Sequence, residues 1–355
     1  MDTRRRVLPM LLPACGILLL ILDSKTAMKG AAEGIELCLR SVIPSLFPFF
    51  MLSILLTSAL SSLSLPFPKS FGKICGLPQK TEGLFLIGLL GGYPVGAQVV
   101  ADAYRSGSLS KETAQRLLGF CSNAGPAFIF GIAGCLFSNQ WIPWIIWLVH
   151  ILSAVSVGAI LPAKTAQTAT KQSSRPMTLQ QAFNRSLRSM ASISGWIILF
   201  RILISFLDRW FLWLLPKTGG IFIAGCLELA NGIFALQSIN SEAIRFILCS
   251  TFLGFGGVCV SMQTASVTGE LGTGFYFPGK LLQGVICCSL SSITALLIYG
   301  PYTNCAEMIT IPIILAACMI VIIRIKKIAV AFSGNNVYNS RKSSRELPLC
   351  SFERK

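Results

Sequence analysis

Apolar runs near the roughly 20 residues that cross a bilayer recur along the chain: Val7 to Leu22, Ile43 to Ala59, Trp141 to Leu161, Leu281 to Ile298 and Ile309 to Ile323. Between them lie shorter polar stretches in which lysine and arginine gather: Arg4 to Arg6, a loop with Lys69, Lys73 and Lys80, the Arg105, Lys111 and Arg116 segment, Lys164 to Arg188, and the tail. Basic connections mark the cytoplasmic side of membrane proteins. One topology accommodates them all. It has about eight transmembrane helices with both termini cytoplasmic, provided that Leu84 to Val100 and Ile221 to Leu236 enter the membrane and return on the same side. The pattern therefore predicts an all-α, polytopic membrane protein with two re-entrant hairpins.

The two hairpin segments match each other. Lys80-Thr81-Glu82-Gly83-Leu84-Phe85-Leu86-Ile87-Gly88-Leu89-Leu90 aligns without a gap on Lys217-Thr218-Gly219-Gly220-Ile221-Phe222-Ile223-Ala224-Gly225-Cys226-Leu227, and each segment runs into helix-breaking sequence. Downstream, Ser110-Lys111-Glu112 corresponds to Asn240-Ser241-Glu242, each a helix N-cap followed by an acid in the first turn. Asn123-Ala124-Gly125-Pro126 falls near Gly254-Phe255-Gly256-Gly257. In the predicted topology these units are inverted repeats, an architecture of many secondary transporters in which interrupted helices hold the binding site near the midplane. The implied organisation is an N-terminal anchor and loop (1–40), a first repeat (41–163), a basic cytoplasmic linker (164–188), a second repeat (189–300), a C-terminal membrane helix (301–328) and a disordered basic tail (329–355).

Composition agrees with lipid as the main solvent. Of 355 residues, 53% are hydrophobic and 12% charged, and the mean hydropathy is +0.69, whereas soluble domains are about a quarter charged. The net charge of +16 sits in the connections and ends, which suits anionic lipid headgroups and gives no basic face for nucleic acid. Most of the thirteen cysteines lie within apolar runs and none forms a Cys-x-x-Cys pair, so they read as small buried hydrophobes. His150 is the only histidine, which excludes a His-rich metal site or a triad using a second histidine. It stands mid-span, as a packing residue or an intramembrane ionisable group. The basic, then apolar, amino terminus lacks a good cleavage site after it and reads as an uncleaved span.

Candidate chemistry gathers at the breaks. Within Gly91-Gly92-Tyr93-Pro94-Val95-Gly96, Pro94 lacks an N–H and opposes the carbonyl of Leu90, and the glycines permit positive φ. Such a break is either a simple kink or an opening whose freed backbone groups meet a ligand. Glu228, with Asn231 and Gly232 beyond it, tips the second hairpin; it serves a site there or a structural ion pair with Arg201. Ser122, Asn123, Gly125 and Pro126 open the span after the first hairpin. A small polar solute would meet Gln98, Ser122, Asn123, Glu228 and Asn231 by hydrogen bonds, with Tyr93, Phe128 or Phe255 as stacking surfaces, unless the small residues serve only close helix packing. No nucleotide-binding motif, paired catalytic carboxylates or metal cluster appears, so no enzyme, cofactor or metal is implied.

Gly92-Tyr93-Pro94-Val95-Gly96-Ala97, the Gly107-Ser108-Leu109-Ser110 turn, and Phe120-Cys121-Ser122-Asn123-Ala124-Gly125-Pro126-Ala127-Phe128-Ile129 with Gly131 and Gly134 resemble the YlbJ-like family of sporulation integral membrane proteins. Its members carry the nucleoside-recognition Gate domain. The resemblance spans roughly Ser41 to Leu297 and is most specific from Gly91 to Gly134. It implies a role in spore cortex formation at a cell membrane of an endospore former. It also implies that Gly92, Tyr93, Pro94, Asn123, Gly125 and Pro126 are Gate residues of the first repeat, and Glu228, Asn231 and Gly232 those of the second. The second half has no Gly-Tyr-Pro, so equivalence there rests on position in the repeat. The expected function is gradient-driven transport of a small polar solute, nucleoside-like or cortex-related. The alternative is a non-transporting scaffold for envelope or cortex assembly, acting through the basic loop and tail. Association into homo-oligomers or with sporulation envelope proteins stays open.

Overall fold

A computed structural model describes residues 3–62, 72, 74–77, 81–162 and 177–300. The apolar run at 309–323, the tail, residues 164–176 of the linker, and Lys69, Lys73 and Lys80 lie outside the described residues. Those described hold helices and no strand: α1 (Thr3–Leu22), α2 (Ser24–Leu37), α3 (Ile43–Ser62), α4 (Glu82–Gly91), α5 (Val95–Arg105), α6 (Lys111–Cys121), α7 (Pro126–Gly131), α8 (Ile142–Ile160), α9 (Leu179–Trp210), α10 (Lys217–Leu227), α11 (Leu229–Ala235), α12 (Glu242–Phe255), α13 (Gly257–Thr268) and α14 (Tyr276–Tyr299).

Among the described residues, five segments are long and apolar enough to cross a bilayer: Ser24–Leu56, Ile142–Ile160, Leu179–Trp210, Glu242–Leu271 and Tyr276–Tyr299. Pro13–Leu22, Glu82–Gly91 and Lys217–Leu227 are shorter apolar helices. Among the described residues the expected spans do not coincide one to one with separate full-length helices. One reason is that residues 24–40, read from sequence as a loop, form α2 and a π-helical turn (Cys38–Val42) leading straight into α3. Likewise, residues 179–188 of the basic linker are the first turns of α9, started by a capping box in which Thr178 and Gln181 satisfy each other's backbone amides.

The side-chain distribution is that of a protein in lipid. On α8, Trp144, Leu148 and Leu152 are exposed at helical spacing while His150, Ser153 and Gly158 face inward. The opposite would hold in water. Helix α2 packs on α9 through Gly30 and Gly34: a Cβ on Gly30 would lie 2.7 Å from Ser205 Oγ and 3.0 Å from Ile202 Cα, and one on Gly34 3.0 Å from Ile198 Cα. Spaced four apart, these glycines let the two backbones approach closely. Arg201 on α9 reaches across to Glu33 of α2 (Nε to Oε2, 2.9 Å), and Arg209 pairs with Asp23 (2.8 Å). The ion pair between Arg201 and Glu228 is therefore not made; the guanidinium is held by Glu33, with Asp208 at 4.0 Å.

Arg116 of α6 is 6% exposed and donates to four backbone carbonyls: Cys75 (2.6 Å), Gly158 (2.7 Å), Gly76 (3.2 Å) and Leu161 (3.1 Å). Its fork ties the turn at 75–76 to the carbonyl end of α8, where helix dipole and orphan acceptors favour a cation. Arg116→Met would leave these acceptors buried without donors. It is expected to lower unfolding stability in detergent by about 3 kcal/mol, measurable as a shift of the thermal midpoint. Lysine should restore only part, because a point charge cannot span four acceptors.

Candidate functional site

The first hairpin turns where α4 ends at Gly91: Gly92 takes φ +73°, the Tyr93–Pro94 peptide is cis, and α5 begins at Val95. Only glycine adopts that φ without strain. The turn rests on the break between α6 and α7, where Ser122 to Gly125 run extended and Pro126 restarts the helix. A Cβ on Gly125 would stand 2.9 Å from the Gly92 Cα, so the two bends meet backbone to backbone.

The second hairpin turns at Glu228, which is extended and caps α11. Its carboxylate accepts from the amides of Ala230 (3.0 Å) and Asn231 (2.7 Å) and from Asn231 Nδ2 (2.7 Å). This hairpin rests on the break between α12 and α13, where Gly256 (φ +78°) and Gly257 (φ +83°) stand in succession. Gly257 backs onto the carbonyls of Gly225, Cys226 and Leu227. The caps of the following helices also correspond: Ser110 accepts from Thr113 N and Ser241 from Ile244 N. Tyr93 joins the halves, its hydroxyl donating to Leu253 O (3.2 Å) and its ring lying against Gly256.

The two hairpin tips and the α6–α7 break enclose a cavity of about 50 Å³ whose wall includes Gly92, Tyr93, Gly125, Phe128, Glu228 and Gln263. A wider hollow of about 500 Å³ lies beside it, with Pro94, Gln98, Asn184, Arg185 and Arg188 on its wall. Gln263 and Ile193 line both and form the partition between them. Among the described residues Gln263 donates only to the Cys259 thiol (3.4 Å).

The structure thus places Gly92, Tyr93, Gly125 and Glu228 on the small cavity and Pro94 and Gln98 on the hollow. Ser122, Asn123, Pro126, Asn231 and Gly232 are not on the wall of either. Asn231 is spent on Glu228, Gly232 packs on Gly225, and Asn123 accepts from Lys280 Nζ (3.2 Å) and Gln283 Nε2 (3.0 Å) while donating to Phe120 O (2.7 Å). Phe128 lines the cavity, whereas Phe255 packs on Phe277. His150 accepts from Ala124 N (3.1 Å), an amide freed by the α6–α7 break. Among the described residues no group of three or more His, Cys, Asp or Glu could hold a metal.

Sequence reading missed Gln263, Arg185, Arg188, Lys280 and Gln283. For Lys280 a signal existed: it directly precedes the apolar run Leu281 to Ile298, and a lysine there is a buried-charge candidate.

A helical bundle with an apolar exterior, and polar groups drawn inward onto four helix breaks, is a multi-pass integral membrane protein. No family model matches the chain. It is similar to the sporulation integral membrane protein YlbJ of Bacillus subtilis (strain 168), 25% identical with 74% of this chain and 76% of the relative covered, which supports a YlbJ-like family. No solved structure matches.

Proposed function

We propose that this chain is a sporulation membrane protein that moves a small polar solute across the bilayer, binding it between the two hairpin tips. One observation carries the reading: both hairpin tips and the α6–α7 break line a single cavity that holds a buried carboxylate and is parted from a polar hollow by Gln263 and Ile193. Irregular backbone at membrane depth is tolerated where it lines such a cavity, and transporters place substrates there. The similarity to YlbJ supports the sporulation setting. The same proposal includes about eight spans, inverted Gate-type repeats and cytoplasmic termini. The matching order of hairpin, capped helix and break in the two halves supports the repeats.

The cavity of about 50 Å³ admits a few waters at the ~10–15 Å³ each requires. A nucleoside-sized solute therefore needs the tips to part, and the structure is read as an occluded state.

The test is replacement of the relative in Bacillus subtilis by this chain, followed by comparison of small-molecule content in separated mother-cell and forespore fractions. A polar metabolite whose distribution depends on the chain is the expected result. Restored sporulation with unchanged metabolite distribution would favour the scaffold instead.

A further inference from the structure

Lys280 is fully buried on α14 and, among the described residues, touches no carboxylate. Its ammonium has three hydrogens. Two go to carboxamide oxygens, Gln283 Oε1 (2.6 Å) and Asn123 Oδ1 (3.2 Å), and the group lies 5.2 Å from the centroid of the Tyr93 ring, whose face attracts a cation. Gln283 also donates to Asn123 Oδ1 (3.0 Å), so both carboxamides turn their oxygens toward the amine.

These partners belong to different moving parts. Tyr93 is the tip of the first hairpin, Asn123 lies in the α6–α7 break, and Lys280 and Gln283 sit one turn apart on α14. The rest of α14 is tied to the ends of α6 and α12 by backbone approach: a Cβ on Gly279 would lie 2.3 Å from Gly119 O, and one on Gly284 3.5 Å from Phe255 Cα. Helix α14 is therefore a strut spanning the end of α6 and the end of α12. Lys280 is the point where that strut holds the tip.

We propose that Lys280 is a latch, a positioning residue that keeps the first hairpin tip closed over the cavity by binding Tyr93 and Asn123 at once. A purely neutral cage leaves the ammonium incompletely compensated, because desolvation is offset only by dipoles and a ring face. Such a contact opens more readily than a buried ion pair would, as a gate requires. This rests on the solute-moving reading, yet its test needs no solute.

The test uses the full-length protein in lipid nanodiscs, reacted with N-ethylmaleimide and analysed cysteine by cysteine by mass spectrometry. Cys121 is fully buried beneath the hairpin, its carbonyl against Gly88 and Gly96; Cys249, equally buried in α12, reports global unfolding. Lys280→Met is expected to speed Cys121 labelling about tenfold or more with Cys249 unchanged. Tyr93→Leu, which also removes the bond to Leu253 O, should do at least as much, and adding Lys280→Met to it should add little, as for residues of one contact. Should Lys280→Met not accumulate, Gln283→Leu, which keeps the charge and removes one acceptor, carries the same expectation. Unchanged Cys121 labelling, or a parallel rise at Cys121 and Cys249, overturns the latch. Neither result bears on whether a solute moves, so the two proposals can fail separately.

Discussion

Gly88→Ala is expected to leave little folded protein. A Cβ at that position would lie 1.6 Å from the carbonyl oxygen of Cys121, and the obstacle is backbone at the end of α6, not a side chain that could swing away. Gly96, the second residue of α5, faces the same oxygen at 2.4 Å. The first hairpin thus straddles that carbonyl with two glycines, and a methyl on either lifts it off the α6–α7 break. Overpacking of this kind usually costs about 1–3 kcal/mol where neighbours can yield, and on the order of 3 kcal/mol or more where they cannot. A fluorescent fusion followed by size-exclusion chromatography in detergent would show loss of the monodisperse peak. Gly195→Ala supplies the contrast, since nothing lies within 4 Å of a Cβ there and α9 is regular. That change should raise the thermal midpoint slightly, in line with the roughly 0.5–1 kcal/mol alanine gains over glycine inside a helix. A well-folded Gly88→Ala protein would mean that the hairpin is not seated on Cys121.

Glu228→Gln is the second large expected effect, and it falls on function. The carboxylate does two things: it caps α11 through three hydrogen bonds and it presents the buried acid of the cavity wall. Glutamine keeps one carbonyl oxygen for an amide but sets its NH₂ against a second donor, which costs about 1–2 kcal/mol of cap stability. That is too little to unfold a bundle of this size. In Bacillus subtilis carrying this chain in place of its relative, the variant should reach the membrane at normal abundance by blot. Heat-resistant spore counts should nevertheless fall to those of the strain lacking the relative. Normal counts would reduce Glu228 to a helix cap and remove the main support for a solute site at the tip.

The sequence by itself determined the solvent and the breaks. Long apolar runs exclude a water-soluble core, and Gly92 with Pro94, Gly125 with Pro126, and the pair Gly256 and Gly257 interrupt helices for local steric reasons that need no neighbours. The caps at Ser110 and Ser241 are likewise local. Tertiary structure alone decided which polar groups meet. Asn123 has its carboxamide turned away from the cavity because Lys280 and Gln283, about 160 residues later, claim its oxygen. Arg201 is drawn to Glu33 and not to Glu228 because α2 lies against α9 on two glycines. Gln263 reaches the cavity wall because Gly256 and Gly257 turn the chain into α13 there. Hydrophobic periodicity records only whether a position faces lipid or protein; the partner of a buried polar group depends on helix pairings set by close backbone contacts far apart in sequence.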